Sequence, residues 1–278
     1  MSKVWLITGS SRGLGRAFEK ATLAAGDQVV ATARNPAQLV DLKNRYGDSV
    51  QTPALDVTNE MQARDALHTA IETHGRLDVL VNNAGYGNVS PAEHTSLDEF
   101  RAQIETNLFG VIIITKSVLP YFRERRAGHI IHVTSIGGRI GPVGRAPYAA
   151  AKFAVEGFSE SLYREVGPLG VKVTIIEPGG FRTDFAGAFT ELHDSGADYA
   201  ATVGAAARFQ RQYDGRQPGD PARAAAVLLQ LASISDPPLR LLLVQRRFSG
   251  GRTERSPEAG IGQKELSMTT DYPKMGQI

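Results

Sequence analysis

The stretch Thr8-Gly9-Ser10-Ser11-Arg12-Gly13-Leu14-Gly15 decides the fold class of this chain. It follows a short apolar run, Val4 to Thr8, and precedes a segment of helical composition that is closed by Gly26. Glycines between a strand and a helix let the backbone turn tightly and let a pyrophosphate approach the helix N-terminus. We therefore predict a dinucleotide-binding turn. Its predicted cofactor contacts are Gly9, Ser11, Arg12, Gly13, Leu14 and Gly15.

Strand-like and helix-like segments alternate from this turn to about residue 244. The further predicted strands cover residues 28–33, 51–55, 77–81, 130–133, 171–176 and 239–244. The predicted helices cover residues 14–25, 36–46, 58–74, 96–126, 147–166 and 220–233, and Thr58 is expected to cap the third of them. Continuous apolar strands that alternate with helices indicate a parallel sheet covered on both faces. The predicted fold class is therefore α/β, a single-domain Rossmann-type doubly wound parallel sheet of about seven strands with helices on both faces.

The catalytic domain is expected to span residues 1–244. Within it, residues 181–218 carry no strand signal and follow the end of a strand, where α/β sheets bind ligands. We predict that they form a mobile lid over a substrate. The tail, residues 245–278, is rich in glycine, proline and arginine as far as Gln263, and we expect a disordered or extended segment there.

Composition restricts the class of protein. The 278 residues include 31 Lys and Arg, 29 Asp and Glu, and no Cys. The balanced charge argues against a nucleic-acid binder, and the lack of cysteine excludes disulfides and cysteine-bound metals, so no metal site is expected. The strongest apolar run, Val111 to Ile114, is too short to cross a bilayer, and the N-terminus does not resemble a signal peptide. We expect a cytoplasmic protein without a membrane or nucleic-acid partner.

The end of the second predicted strand bears on the choice of cofactor. NAD-binding proteins usually place a carboxylate there, on the ribose hydroxyls, whereas this chain has Ala33 and Arg34. Arg34, together with Arg12 in the glycine turn, is expected to pair with a 2′-phosphate, which favours NADP(H) over NAD(H). The next two strands end in further predicted cofactor contacts, namely Asp56, Val57, Asn83, Ala84 and Gly85.

The predicted chemical centre is Tyr148 with Lys152. At positions i and i+4 of a helix, the two side chains share one face. An ammonium group beside a phenol stabilises the phenolate, so we expect the pKa of Tyr148 to fall toward the working range of an acid–base group. Ser135 ends the fifth predicted strand and is placed to hydrogen-bond the same carbonyl oxygen, and Asn107 lies in the long helix.

Taken together, these motifs resemble the classical short-chain dehydrogenase/reductase family. The matching segments are Thr8 to Gly15, Asp56, Asn82 to Gly85, Asn107, Ser135, Tyr148, Lys152 and Pro178 to Thr183. The similarity covers residues 3–244. The stretch 83–183 is most similar to members related to 17β-hydroxysteroid and retinol dehydrogenases and their bacterial relatives.

The resemblance implies a role for each matched residue. Tyr148 would be the general acid in reduction and the base in oxidation, and Lys152 would hold the nicotinamide ribose, so that both also contact the cofactor. Ser135 would polarise the substrate oxygen, and Asn107 would hold a water that links Lys152 to solvent. The residues implied at the nicotinamide are Pro178, Gly179 and Thr183.

The residues that flank the catalytic set predict the substrate side of the site. They are mostly apolar or small, which favours an apolar ketone or secondary alcohol. The candidates are Tyr86, Gly87, Ile136, Gly137, Val143, Phe181 and Phe185. Arg139 and Arg145 lie in the same loop and offer recognition of an acidic group as an alternative, although we expect both to point into solvent.

The leading hypothesis is an oxidoreductase that transfers a hydride between NADP(H) and a carbonyl or secondary alcohol. One alternative is a catalytically silent NADP(H)-sensing protein, against which the intact catalytic set counts. Another is an epimerase or dehydratase on the same scaffold. The resemblance also implies a homodimer or homotetramer.

The tail departs from the family pattern. Leu239 to Leu243 and Lys264 to Pro273 match the ends of many relatives, but the piece between them does not. We hypothesise a pair of compensating frameshifts that covers about residues 244–263. The same reading frame in close relatives would contradict this hypothesis.

Overall fold

The computed structural model describes residues 2–187, 190–244 and 265–267. Its strands are β1 (Val4–Ile7), β2 (Gln28–Ala31), β3 (Val50–Gln51), β4 (Val79–Asn82), β5 (Gly87–Val89), β6 (Gly128–Val133), β7 (Val171–Pro178), β8 (Thr190–Leu192), β9 (Arg240–Leu243) and β10 (Glu265–Ser267). Its α-helices are α1 (Gly13–Ala24), α2 (Val40–Tyr46), α3 (Glu60–His74), α4 (Leu97–Ile104), α5 (Gly110–Arg125), α6 (Ala146–Val166), α7 (Val203–Tyr213) and α8 (Pro221–Leu231).

The main sheet is parallel and has the order β10-β9-β7-β6-β4-β1-β2-β3. From β1 the chain winds outward through β2 and β3, then crosses to β4 on the other side of β1. This reversal opens a crevice at the carboxyl ends of β1 and β4, which is where doubly wound sheets bind ligands. The predicted fold class is confirmed. The short strand β10 extends the seven predicted strands to eight.

Two hydrophobic clusters explain why both faces of the sheet are buried. Side chains alternate along a strand, so Trp5 and Ile7 of β1 enter one cluster while Val4 and Leu6 enter the other. Residues of α1 and α8 cover the first face, and residues of α3, α5 and α6 cover the second. The sheet is therefore packed against helices on both faces.

The predicted long helix over residues 96–126 is interrupted rather than continuous. Ser96 caps α4 through a capping box with Glu99, and a π-helical turn over Glu105–Phe109 separates α4 from α5. The stretch Leu97–Arg125 is long and apolar enough to cross a membrane by length and composition alone. Its residues Ile114 and Val118 are buried in the second core cluster, as expected of a core helix.

Three further expectations need correction or fall outside the described residues. Asn59, not Thr58, caps α3, because the Thr58 hydroxyl donates to Asp56 Oδ1 at 2.8 Å. The lid segment, residues 181–218, contains both β8 and α7, where no strand was expected. β8 pairs with β5, a contact distant in sequence that local composition does not reveal. The expectations for residues 245–263 lie outside the described part of the chain.

Candidate active site

The glycine turn leaves an open space at the crevice that larger side chains would fill. Gly9 has a φ of +67°, and a methyl group on it would lie 2.8 Å from Ala84 Cα. Gly13 has a φ of +59° and opens α1, and a methyl group on it would lie 3.6 Å from Thr183 Cβ. Glycine alone adopts these conformations without strain. The turn thus presents backbone and a helix N-terminus to the crevice, which fits the pyrophosphate of a dinucleotide.

Hydrogen bonds of Asn83 join the end of β4 to the end of β1. Its Nδ2 donates to the carbonyl oxygens of Thr8 and Gly9 at 3.0 and 3.2 Å. The Thr8 hydroxyl in turn accepts from the backbone N–H groups of Asn83 and Ala84. These bonds set the width of the crevice, so that Ala84 and Gly85 lie directly beside the glycine turn.

Other predicted cofactor residues lie along the same edge. Asp56 Oδ1 accepts hydrogen bonds from the N–H group and the hydroxyl of Thr58. Asp56 lies two residues after Ala54, which forms an isolated parallel bridge with Ala33 at the end of the β2–β3 pairing. Arg34 is exposed, directly after Ala33. Arg12 occupies the N-cap position of α1, with an extended backbone. The predicted 2′-phosphate contacts therefore flank the carboxyl ends of β1 and β2.

The loop after β7 supplies the opposite wall of the crevice. Pro178 ends the strand, and the Gly179 N–H donates to the Leu243 carbonyl oxygen at 2.9 Å. Thr183 faces Gly13 across the crevice, as its distance from the glycine turn shows. Together with the glycine turn, these residues border a space that fits a bound dinucleotide.

Tyr148 and Lys152 are both buried on α6. Lys152 Nζ donates to the Val133 carbonyl oxygen at 2.9 Å and lies 5.7 Å from the centre of the Tyr148 ring. Ser135 caps a short 3-10 turn and accepts from the Gly137 N–H at 3.0 Å. A methyl group on Gly137 would lie 3.2 Å from Tyr148 Cε1 and 3.4 Å from Ser135 Oγ. The two hydroxyl-bearing side chains therefore share one small space.

The pKa of Tyr148 differs from the sequence expectation. Burial raises it above its ordinary value, and this outweighs the lowering effects of the hydrogen bond to Ser135 and the charge of Arg145. Burial also lowers the pKa of Lys152 to about 8, against the opposing charge of Glu156. The expected fall in the pKa of Tyr148 is thus wrong for the protein alone, because burial of the phenol outweighs the groups that lower its pKa.

Asn107 occupies the π-helical turn and is fully buried. Its Nδ2 donates to the Tyr86 carbonyl oxygen at 2.8 Å, and its Oδ1 accepts from the Tyr86 N–H at 3.0 Å. A methyl group on Gly85 would lie 2.7 Å from the same Oδ1. Asn107 therefore fixes the loop after β4, and the π turn, a feature common at functional sites, aims its side chain there.

A buried hydrogen-bond chain joins the elements that carry the catalytic residues. Asn82 Nδ2 donates to the Thr115 hydroxyl, which lies 3.2 Å from His132 Nε2. His132 Nδ1 lies 2.6 Å from the Ser159 hydroxyl. Burial lowers the pKa of His132 to about 3, so this ring is neutral. This series of hydrogen bonds links β4, α5, β6 and α6. Its members are separated in sequence and each alone is an ordinary core polar residue, so sequence patterns do not reveal it.

Comparison with known proteins assigns the family. The model of the short chain dehydrogenase family matches residues 3–193. An oxidoreductase of Botryotinia fuckeliana, BOA17, is 47% identical over 244 residues, which cover 87% of this chain and 89% of that protein. The chain belongs to the short-chain dehydrogenase family.

Two further comparisons agree with this assignment. The 3-ketodihydrosphingosine reductase of Bacteroides thetaiotaomicron is 35% identical over 240 residues, 86% of each chain. The crystal structure of a short-chain dehydrogenase from Streptomyces avermitilis matches with a TM-score of 0.81 and 41% identity, over 88% of this chain and 89% of that one. The protein is thus an oxidoreductase of the short-chain dehydrogenase family, as the sequence motifs implied.

The substrate side of this short-chain dehydrogenase brings together some of the predicted residues. The Phe185 ring centre lies 5.6 Å from that of Tyr148, and a methyl group on Gly87 would lie 3.2 Å from Tyr148 Cδ2. Ile136 and Val143 lie in the segment between β6 and α6 and are exposed, with 36% and 56% of their surface accessible. Phe181 differs: it is buried in the first core cluster and its ring packs against Gly219.

The lid segment packs on the loop that precedes α6. Val203 of α7 forms a small cluster with Val89 and Ala207, and a methyl group on Gly144 would lie 3.0 Å from both valines. His193 lies 3.3 Å from Glu99 of α4 and 3.6 Å from Glu191. These contacts lie beside the pairing of β8 with β5.

Arg139 and Arg145 do not both point into solvent as expected. Arg139 Nε lies 2.7 Å from Glu177 Oε1, which joins the loop after β6 to the end of β7. Arg145 lies instead over Tyr148, with its Cζ 6.0 Å from the ring centre, and its Nη1 is buried. Arg145 precedes Tyr148 by about one helical turn, so the sequence spacing alone could have predicted that Arg145 points toward the site.

Proposed function

We propose that this protein transfers a hydride between NADP(H) and a carbonyl compound or secondary alcohol. The observation that carries the proposal is the buried Tyr148, placed between Ser135 and Lys152 at the carboxyl edge of the sheet. That edge also carries the glycine turn. A phenol, a hydroxyl and an ammonium group beside a dinucleotide cradle suit proton transfer to a reacting oxygen.

The chemistry follows from the placement of these groups. When bound, the nicotinamide supplies the hydride to the carbonyl carbon, or accepts it from the alcohol. Tyr148 donates its phenolic proton to the carbonyl oxygen in reduction and takes the proton back in oxidation. Ser135 donates a hydrogen bond to that oxygen, and the raised pKa of Tyr148 keeps its proton available at neutral pH. Lys152 holds the ribose hydroxyls and stabilises the phenolate that Tyr148 becomes.

Arg34 and Arg12 support NADP(H) as the cofactor. Both flank the carboxyl ends of the strands on which an adenine ribose would lie, and no carboxylate replaces them at the end of β2. Asp56 and Val57 would contact the adenine, and the loops that contain Asn83, Ala84, Gly85, Pro178, Gly179 and Thr183 would hold the rest of the cofactor. A guanidinium binds a 2′-phosphate with two parallel hydrogen bonds, which the ribose hydroxyls of NAD do not match.

The aromatic and aliphatic residues near Tyr148 support an apolar part of the substrate. Phe185 and Ile136 would contact it, and Val143 would lie at the entrance. One relative is named as a ketone reductase, which agrees with carbonyl reduction as the direction to test first. We further propose that the protein is cytoplasmic and that it forms a homo-oligomer. Phe109 and Phe153 on the helix faces support the oligomer, since they are 45% and 46% exposed and an apolar interface would cover them.

The test is nicotinamide absorbance with purified protein and a panel of ketones and alcohols. The panel contains steroids, retinoids, aryl ketones and short hydroxy acids, each with the phosphorylated and the unphosphorylated cofactor. Turnover that prefers NADPH is the expected result. Tight NADPH binding without turnover of any member would favour a cofactor sensor, and cofactor retention with isomerised or dehydrated product would favour an epimerase or dehydratase.

A further inference from the structure

Two cationic side chains lie beside Tyr148, and one of them, Arg145, has no role in the proposed reaction. Its Cζ lies 6.0 Å from the Tyr148 ring centre and 5.8 Å from that of Phe185, so the guanidinium rests between the two rings. Its Nη1 is buried and finds no hydrogen-bond acceptor among the described residues. Buried donors in native proteins almost always have an acceptor, so this one calls for a partner from outside the chain.

The unpaired nitrogen lies beside the Gly87 backbone and the ring of Tyr148. A methyl group on Gly87 would lie 3.3 Å from Arg145 Nη1 and 3.2 Å from Tyr148 Cδ2. The Gly87 backbone, the phenol ring and the guanidinium therefore border the same small volume. Phe185 closes it from the lid segment. A group that pairs with Arg145 would be a part of the molecule whose carbonyl reaches Tyr148.

The surroundings of Arg145 contrast with those of the other arginine in the same loop. Arg139 is paired with the buried carboxylate of Glu177 at 2.7 Å. Burial lowers the pKa of Arg145, and Tyr148 is the ionisable group that opposes this effect. A guanidinium nevertheless stays protonated throughout the working pH range. A half-buried, permanent charge without a carboxylate among the described residues is costly unless an anion joins it.

We propose that the substrate is a keto acid, or the matching hydroxy acid, whose carboxylate pairs with Arg145. The planar guanidinium offers parallel N–H donors that match a carboxylate, and Phe185 packs against the short apolar chain that joins the carboxylate to the ketone. This inference rests on the proposed carbonyl reduction. It names the substrate class of the site and excludes substrates that carry an ammonium group near the ketone, because two cations would repel each other.

The experiment compares each keto acid with its own primary amide, from α-keto to δ-keto acids. Calorimetry with the NADPH-loaded protein measures binding, and NADPH absorbance measures kcat/KM. We expect the wild-type protein to bind at least one acid about tenfold to a hundredfold more tightly than its amide, as loss of a charge-assisted hydrogen bond predicts. In the Arg145→Gln variant this preference disappears while the amide binds as before. Arg145→Lys retains part of the preference.

The control is Arg164→Gln, which removes a positive charge from the outer side of α6, where the side chain is 67% exposed. It keeps the preference of the wild-type protein for the acid. The proposal is overturned if the wild-type protein does not distinguish any acid from its amide. It is also overturned if Arg145→Gln weakens acid and amide equally, because Arg145 would then only position Tyr148.

The two proposals fail in different ways. Selective binding of an acid without turnover of any substrate leaves the carboxylate site standing and removes the proposed reaction. Turnover of neutral ketones at the rates of the matching acids keeps the reaction and removes the carboxylate site. Calorimetry therefore decides the question for Arg145 even where absorbance shows no reaction.

Discussion

Lys152 Nζ lies 5.7 Å from the centre of the Tyr148 ring while it donates a 2.9 Å hydrogen bond to the Val133 carbonyl oxygen. The carbonyl group of Val133, the last residue of β6, thus holds the ammonium near the phenol. Because the group is buried, its pKa is lowered to about 8, with the charge of Glu156 acting in the opposite direction. The charge beside Tyr148 is therefore sensitive to pH near neutrality.

This sensitivity predicts the pH dependence of NADPH use. As pH rises through about 8, Lys152 loses its proton in the free protein, so kcat/KM for NADPH falls. In the Lys152→Arg variant the positive charge persists, so the fall in kcat/KM for NADPH moves to higher pH. The maximal rate of this variant is lower than that of the wild-type protein. Rates are measured across the pH range with a saturating carbonyl substrate. An unchanged midpoint in the arginine variant would assign the fall to a different group.

Replacement of Arg34 tests the cofactor preference. Arg34→Asp removes a donor for the 2′-phosphate and places a carboxylate where it accepts from ribose hydroxyls. We expect kcat/KM for NADPH to fall by about tenfold to a hundredfold, while kcat/KM for NADH rises. Arg64→Asp, at an exposed position of α3, changes the net charge equally and leaves the preference intact. Unchanged selectivity in Arg34→Asp would remove this residue from the cofactor site.

Asn107 is expected to matter for stability as well as for rate. Asn107→Ala removes both hydrogen bonds to the Tyr86 backbone and leaves buried groups unpaired, which costs about 2 kcal/mol of unfolding free energy. The loop that carries Gly85 and Gly87 then loosens beside Tyr148, so kcat falls too. Urea unfolding and steady-state rates measure the two effects. Asn44→Ala, at an exposed position of α2, changes neither. Wild-type stability of Asn107→Ala would contradict the bonding described.

Glu19 predicts how stability depends on pH. This side chain is fully buried in α1, with Oε1 3.1 Å from Arg16 Nη1, and burial raises its pKa from 4.5 to about 8 despite the charge of Arg16. The folded state thus binds a proton that the unfolded state releases above pH 4.5. Its contribution is complete below that pH and is lost as the pH rises toward 8.

The Glu19→Gln variant removes this dependence. We expect it to lose less stability than the wild-type protein between pH 5 and 8, by up to a few kcal/mol, since one pKa unit corresponds to about 1.4 kcal/mol. Thermal unfolding in buffers across this range measures the difference. Glu124→Gln, which is 73% exposed, serves as the control and follows the wild-type curve. A Glu19→Gln curve parallel to that of the wild-type protein would contradict the raised pKa.

The features that the sequence predicts well are local. The glycine turn, the strand–helix alternation and the spacing of Tyr148 and Lys152 each depend on neighbours in the chain, and the structure places them as expected. Their convergence at one edge follows from parallel strands alone, because all carboxyl ends then lie together.

The features that the sequence does not reveal depend on distant contacts. Strand β8 pairs with β5, which is distant in sequence, and Asn107 in the π turn bonds to both backbone groups of Tyr86. The contact of Arg145 with Phe185 depends on the lid segment, which brings the Phe185 ring to 5.8 Å from the guanidinium. The pKa of Tyr148 depends on how completely the fold excludes water, which spacing in the sequence does not encode.

The most direct test of the central claim is the rate of the Tyr148→Phe variant with NADPH and a ketone that the wild-type protein reduces. This change removes one hydroxyl and keeps the ring beside Phe185 and Arg145. We predict that kcat falls by about a hundredfold to ten-thousandfold, while the dissociation constant of NADPH stays within a few-fold of the wild-type value. A variant that binds NADPH and reduces the ketone at the wild-type rate would contradict the role of Tyr148 as the proton donor.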